Sequence, residues 1–291
     1  MLLPDLQQLI FHVRHGSRSI ISRNLFAMNV RILYAACPLC GCSATKDIIS
    51  ADCSRHPLYQ NVIPPVMRWK QCVQCGHVFT EGYFTEAACN VIFSKTNEHQ
   101  QVGFDMERQR IVSSRIIEKV LPYVNGGNWL DIGFGNGSLL FTAQEYGFTP
   151  IGADLRPDNV SAMKALGIQA HLQDVAGLVL AERCAVISMA DVLEHMPYPG
   201  EVLKAVSSLL EVNGVLFISM PNMESMVWRA SEKNKTNPYW GELEHYHNFS
   251  RSRLYALLLE TGFEPLRYGI SERYRLCMEV IARRTEAKAG R

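Results

Sequence analysis

The chain has no long apolar run. Its best stretches, 215–220 and 254–259, are the size of a strand and a short helix, well below the roughly 18 consecutive apolar residues of a membrane-crossing helix. Net charge is nearly absent: 29 Lys and Arg against 28 Asp and Glu leave +1. No whole-chain field therefore points to nucleic acid or an anionic membrane. Internal repeats and low-complexity tracts are missing too. With 47% hydrophobic and 20% charged residues, the composition is that of a globular chain rather than a disordered one. Residues 1–36 hold no compact apolar stretch followed by a small-residue cleavage site, because Arg14, Arg18, Arg23 and Arg31 break up the apolar positions. They are expected to form a poorly ordered extension. The expected location is cytoplasmic with reduced thiols, so the 9 cysteines are read first as metal ligands.

What is present divides into parts. Residues 37–96 are turn-rich and hold seven of the cysteines. Residues 97–128 form a link, within which Met106, Ile111, Val112, Ile116, Ile117 and Val120 outline an amphipathic helix over 105–121. In 129–283, apolar runs at 129–132, 150–153, 185–189, 215–220, 263–268 and 276–282 alternate with helical stretches beginning near Gly137, Asp158, Pro199 and Ser250. This alternation predicts an α/β fold with a doubly wound, largely parallel sheet. Residues 284–291 read as a frayed tail, with Arg284, Lys288 and Arg291 solvated.

Two short motifs repeat one local device. Cys37-Pro-Leu-Cys40-Gly41 and Cys72-Val-Gln-Cys75-Gly76 each let two thiolates converge on one ion while the glycine turns the backbone. Together they make a four-cysteine site, expected to hold structural Zn²⁺, with iron as the other ion that this spacing admits. The insert 41–71 exceeds the usual ~15–20 residues between such pairs, so it must fold as a large loop. Cys53-Ser-Arg-His56 is a competing half-site without the glycine. Cys42, Cys89, Cys184 and Cys277 read as packing thiols.

The second signal is Trp129-Leu-Asp131-Ile-Gly133-Phe-Gly135-Asn-Gly137, placed where the first strand turns into a helix. Glycines there allow a tight turn and close approach of a ligand. Asp131 stands where a dinucleotide's pyrophosphate would meet like charge, and suits an ammonium group instead. Asp154 ends the second apolar run, where a carboxylate can bridge two ribose hydroxyls. A ligand with an amino-acid end and a ribose is S-adenosylmethionine.

With these residues in view, 129–283 resembles a class I S-adenosylmethionine-dependent methyltransferase of the small-molecule branch. Gln173-Asp174-Val175, Asp191-Val-Leu-Glu194-His195, Leu210-Glu-Val-Asn-Gly214 and Glu244-His245-Tyr-His247-Asn-Phe-Ser250 resemble the family's later motifs. Asn213 departs from the usual Pro or Gly. The resemblance implies a Rossmann-like seven-stranded sheet with its last strand antiparallel. It implies cofactor contacts from Asp131, Gly133, Phe134, Gly135, Gly137, Asp154, Leu155, Asp174, Val175 and Ala190. The implied acceptor-side residues are His195, His245 and His247, with Met223 to Pro238 as a cap in which Met226, Val227 and Trp228 are apolar, and Trp240 and Tyr246 as nearby walls.

The four-cysteine module before such a domain resembles the sugar C-methyltransferase branch and, more loosely, ribosomal RNA guanine methyltransferases.

Each histidine has a duller reading as a core or capping residue. Asp191, Glu194 and His195 also resemble the Mg²⁺-binding Glu-x-x-Glu-His of ubiquinone-pathway O-methyltransferases, with Asp in place of the first Glu. The expected partner is a small-molecule substrate, without membrane or nucleic acid. The rival classes are an RNA methyltransferase, for which Arg68-Trp69-Lys70 is the one basic-aromatic cluster, and a non-catalytic cofactor-binding protein.

Overall fold

The structure, a computed structural model, describes residues 30–92 and 98–286. The N-terminal part contains β1 (Arg31–Leu33), β2 (Thr45–Asp52), β3 (Val66–Cys72), β4 (Val78–Thr80), β5 (Gly82–Phe84) and the short helix α1 (Glu86–Ile92). Helix α2 (Met106–Val120) leads into β6 (Gly127–Ile132), α3 (Ser138–Glu145), β7 (Phe148–Asp154), α4 (Pro157–Ala165), β8 (Gln169–Leu172), β9 (Cys184–Ala190), α5 (Pro199–Leu209) and β10 (Leu210–Pro221). The chain closes with α6 (Met226–Lys233), β11 (His247–Asn248), α7 (Arg251–Glu260), β12 (Phe263–Ile270) and β13 (Cys277–Arg284).

The central sheet has seven strands in the order β12-β13-β10-β9-β6-β7-β8. From β10 to β8 the neighbours are parallel, and β13 inserts antiparallel between β10 and β12. All six apolar runs fall on strands, the last starting one residue before β13. The seventh, β8, is an edge strand with Ala170 as its one buried side chain, so its sequence carries no apolar run. Both faces of the sheet are covered, which is why its central strands are apolar throughout. Adjacent residues feed opposite faces: Trp129, Val186 and Phe217 pack with α2, α3 and α4, whereas Leu130, Ile187 and Ile218 pack with α5 and α7. On α2 the buried stripe is Ser113, Ile116, Ile117 and Val120, and Ile111 points to solvent.

The N-terminal part departs from the expected separate module. Its four-stranded sheet, β11-β4-β3-β2, takes its edge strand from residues 247–248, with His247 opposite Phe79. A shared core joins Met67, Trp69 and Phe84 to Trp228, Trp240, Leu243 and Tyr246. Trp240 and Tyr246 are thus part of this core rather than of a pocket wall. Residues 31–33, expected within the poorly ordered extension, instead pair with β5. There the buried Arg31 donates to the Gly82 carbonyl at 2.9 Å, with its guanidinium 4.0 Å above the Phe84 ring. Arg14, Arg18 and Arg23, like Lys288 and Arg291, lie outside the described residues.

Candidate active site

The first half of the site is built on the carboxyl ends of β6, β7 and β9. After Asp131 the chain turns through Gly133, Gly135 and Gly137, with φ of 68°, 52° and 79°. Side chains are disfavoured in this region, and a Cβ on Gly133 would lie 2.9 Å from Val192 Cγ2. The turn is pinned on both sides. Gly133 N–H donates to Ala153 O at 2.7 Å, and Gly135 N–H donates to Asp154 Oδ2 at 3.2 Å. The other Asp154 oxygen accepts from Arg156 N–H at 2.9 Å.

Asp131 is 2% exposed. Its Oδ1 accepts from Ser188 Oγ at 2.6 Å, and Ser188 in turn accepts from Trp129 Nε1 at 2.9 Å. Burial pushes the Asp131 carboxyl up to about 6, against the pull of Arg273 and Ser188.

The other residues expected on the cofactor side separate by exposure. Leu155 is 65% exposed at the tip of β7, and Ala190 ends β9. Exposed Asp174 accepts from Ala176 N–H at 2.8 Å and caps a one-turn helix at Val175–Gly177. The Phe134 and Val175 side chains are buried in the core, so only their backbones face the loop region. A Cβ on Gly152 would meet the Phe134 ring at 2.7 Å, which identifies that ring as a plug beneath the turn.

Sequence periodicity missed the segment before α2. Residues 98–104, expected as part of a linking helix, fold over the glycine turn. Gly103 N–H donates to Asn136 O at 3.1 Å, and Asn159 Nδ2 donates to both Gln100 O and Gly135 O at 2.9 and 3.1 Å.

The second half gathers acids and histidines from distant segments. Asp191 leaves β9 at φ 59°, a strained value for a side-chain-bearing residue. Its Oδ1 accepts from Ser219 at 3.0 Å, while its buried Oδ2 has no partner among the described residues. Glu194 is 1% exposed, and neither carboxyl oxygen has a partner there. Burial, with Asp191 adding to it, drives this carboxyl well above the usual carboxylate range.

His195 Nδ1 donates to the Glu244 carbonyl at 3.0 Å, which leaves Nε2 as the ring nitrogen outside that bond. His245 packs edge-on against it, with centroids 4.7 Å apart, and its buried Nδ1 has no partner among the described residues. Burial lowers His245 well below the ordinary histidine value. Ligand atoms of Glu194, His195 and His245 all lie within 4.8 Å of one another. Glu242, Glu244 and His56 form a neighbouring group, with His56 Nε2 paired to Glu242.

His247 does not join them. It is fully buried, accepts from His77 Nε2 at Nδ1 (2.9 Å) and donates from Nε2 to the Met196 carbonyl (2.9 Å). Both ring nitrogens are engaged, so the expectation that it lines the acceptor side with His245 is corrected. Spacing misled because residues 245 and 247 do not share one strand: β11 begins at His247, and His245 N–H closes a turn onto Glu242 O at 3.2 Å.

In the cap, Trp228 turns inward and stacks on Tyr239 at 5.6 Å, whereas Met226 and Val227 are exposed. Trp69 is buried and donates to Trp240 O at 2.9 Å, with Arg68 and Lys70 paired to Glu81 and Asp47. The expected basic-aromatic cluster is therefore neither stacked outward nor uncompensated.

The four motif cysteines converge. Cys37 and Cys75 sulfurs are 3.7 Å apart, Cys40 and Cys72 sulfurs 3.5 Å, and all four lie within 4.8 Å of one another. A zinc–thiolate tetrahedron with bonds of about 2.3 Å has sulfur–sulfur edges near 3.8 Å, so the donor set fits zinc. Gly41 and Gly76 take φ of 73° and 71° and close each knuckle. Cys53 instead donates its thiol to Pro65 O at 3.2 Å and the His56 ring pairs with Glu242, so the side chains of the competing half-site are engaged elsewhere.

The family described as a methyltransferase domain matches residues 104–268. The ubiquinone biosynthesis O-methyltransferase of Nitrosococcus oceani is 35% identical over 105 residues, covering 33% of this chain and 44% of that protein. The Xylella fastidiosa protein of the same name is 30% identical over 114 residues, covering 36% and 46%. The chain thus spans under half the length of these curated relatives. Among solved structures, the 1,6-didemethyltoxoflavin-N1-methyltransferase of Burkholderia thailandensis shares the fold, with a TM-score of 0.53 and 18% identity over 74% of this chain and 99% of that one. By sequence and by sheet order, the chain belongs to the class I S-adenosylmethionine-dependent methyltransferase domains.

Proposed function

We propose that the protein methylates a small molecule at oxygen, nitrogen or carbon, using S-adenosylmethionine. The observation that carries this is the glycine turn with two buried carboxylates at neighbouring strand tips, Asp131 and Asp154. Asp131 faces the ammonium of the cofactor's amino-acid end. Asp154 exchanges its present N–H partners for the ribose hydroxyls. Gly133, Gly135 and Gly137 give the cofactor room, with Ala190 at the end of β9. Leu155, the Phe134 and Val175 backbones, and Asp174 line the adenine side.

Methyl transfer is an in-line displacement on a sulfonium that already carries its leaving group. Alignment and exclusion of water contribute most of the acceleration. The residues on the acceptor side are His195, whose Nε2 is not committed to the Glu244 carbonyl, and His245 beside it.

A small molecule is favoured over RNA because Glu194 and His245 of this acid–histidine cluster are buried and the basic residues near Trp69 are ion-paired. Cys37, Cys40, Cys72 and Cys75 would hold one structural Zn²⁺. Four thiolates close its coordination shell, so it supplies folding rather than chemistry. A second reading concerns Glu194, His195 and His245, whose clustered ligand atoms, those of Glu194 and His245 Nδ1 without a partner among the described residues, can hold a divalent cation next to the acceptor. Calorimetric titration with Mg²⁺ or Mn²⁺ on wild type and Glu194→Gln decides it.

The primary test is calorimetry with S-adenosylmethionine, alongside metabolite profiling of a deletion strain. Failure to bind, with tight binding of a nicotinamide dinucleotide instead, overturns the proposal.

A further inference from the structure

The second knuckle of the four-cysteine centre is linked to the His195 loop through His77, whose main chain bonds Cys72 and whose ring bonds His247. Cys72 N–H donates to His77 O at 2.9 Å, which closes the second knuckle on His77. The His77 ring then meets His247 at 2.9 Å, and His247 meets the Met196 carbonyl at 2.9 Å.

The tautomers along this line are determined. A carbonyl only accepts, so His247 carries its proton on Nε2 and its Nδ1 accepts. His77 must therefore donate from Nε2, and its remaining Nδ1 is buried with no partner among the described residues. Both rings are almost completely buried and pack around Phe79 and Phe249.

A second line runs parallel. Tyr34 packs edge-on to Phe79, itself clustered with Cys37 and Cys72, and donates to Pro197 O at 2.8 Å. The two lines grip consecutive carbonyls, those of Met196 and Pro197, immediately after His195. The β4–β11 pairing also holds the chain just after the Glu244 carbonyl that meets His195 Nδ1.

We propose that the four-cysteine centre acts as a positioning device for the acceptor side, with His77 and His247 as positioning residues that hold His195 in one orientation and one tautomer. The inference rests on the proposed metal at the four cysteines and on His195 as an acceptor-side group. Outer partners that fix a ring nitrogen are how proteins commonly orient functional histidines. Here the line ends on the backbone of the loop rather than on the ring itself. A mere core histidine at position 77 would need neither a donor toward His247 nor a second residue holding the next carbonyl.

The test uses zinc-loaded, full-length protein with histidine ring nitrogens observed by NMR, the His195 signals being assigned with His195→Gln. The variants are His77→Phe, which keeps a packed ring without the donor, His77→Gln, which restores an amide donor, and Tyr34→Phe. Zinc content and S-adenosylhomocysteine affinity are measured on each. The expected result is a single Nδ1–H tautomer of His195 in wild type and His77→Gln. In His77→Phe and Tyr34→Phe, that tautomer loses population severalfold, with zinc still at one per chain and cofactor-product affinity within about twofold. Removal of zinc from wild type by chelation should produce the same loss.

Unchanged His195 signals in His77→Phe and after chelation overturn the proposal, whether or not the protein is less stable. So does a loss that His77→Gln fails to restore. Failure of wild type to bind S-adenosylhomocysteine would count against the methyltransferase reading, and the tautomer comparison would still decide the coupling.

Discussion

The two halves of the site are built by opposite means. The cofactor side is local: within residues 129–137 the chain supplies a strand, a carboxylate and three left-handed glycines, and Asp154 arrives on the adjacent strand. Its geometry is mostly backbone. The acceptor side is assembled from residues far apart in sequence, with His195 after β9, His245 before β11, and β4 of the cysteine-rich part pairing beside them. Its geometry depends on side chains whose partners lie more than 40 residues away, as His195 depends on Glu244 and His247 on His77. If the two halves have the proposed roles, damage to the N-terminal part should spare cofactor binding and disturb the acceptor half.

The sharpest break between the halves should come from Cys72→Ser/Cys75→Ser. Elemental analysis should fall from one zinc per chain to none, with cooperative melting of the N-terminal sheet lost, because binding of such an ion is itself folding free energy. Unchanged metal content would dismiss the site. Next in size is the chemistry. His195→Ala and His245→Ala should each slow turnover on the identified acceptor by about 10²- to 10⁴-fold if that residue is the base. Affinity for S-adenosylhomocysteine, measured by calorimetry, should be unchanged. Near-normal turnover in both would make them structural and leave catalysis to alignment alone.

The same division explains what could be read from the sequence. Strand runs, the glycine turn, Asp131, Asp154 and the two cysteine knuckles are short-range patterns, and residue order alone places them. Arg31 buried on an otherwise exposed strand, His77 beside His247 and residues 98–104 over the glycine turn carry no periodicity or motif of their own. Their positions follow from long-range packing. His247 shows the cost of a spacing argument: two residues apart predicts one face, but the strand that would enforce it starts only at His247.

On the cofactor side, Asp154→Ala should weaken S-adenosylmethionine binding by about tenfold or more, the loss expected for a paired hydroxyl contact to a charged group. Because Asp154 also receives Gly135 N–H, the substitution loosens the turn as well. Asp154→Asn keeps one acceptor there and should lose less. Equal affinity in wild type and Asp154→Ala would remove the ribose assignment.

The smallest effect separates the two roles of Asp131. Burial holds its carboxyl at about 6 against an ordinary 3.8. Between those values the folded chain keeps a proton that the unfolded chain has released. This group's contribution to stability is therefore greatest below pH 3.8 and declines as pH rises to about 6. Binding of the cofactor's ammonium runs the other way, because it needs the carboxylate. Affinity should be flat above pH 6 and fall by about tenfold per pH unit beneath it, since the neutral acid offers the ammonium no charge. Calorimetry from pH 7 to pH 5 on wild type and Asp131→Asn checks both signs. Wild type should lose affinity over that range, while the variant, weaker throughout, should show no slope. An equal slope in the two proteins would assign the titration to another group and leave Asp131 as a buried partner of Ser188 with no hold on the cofactor.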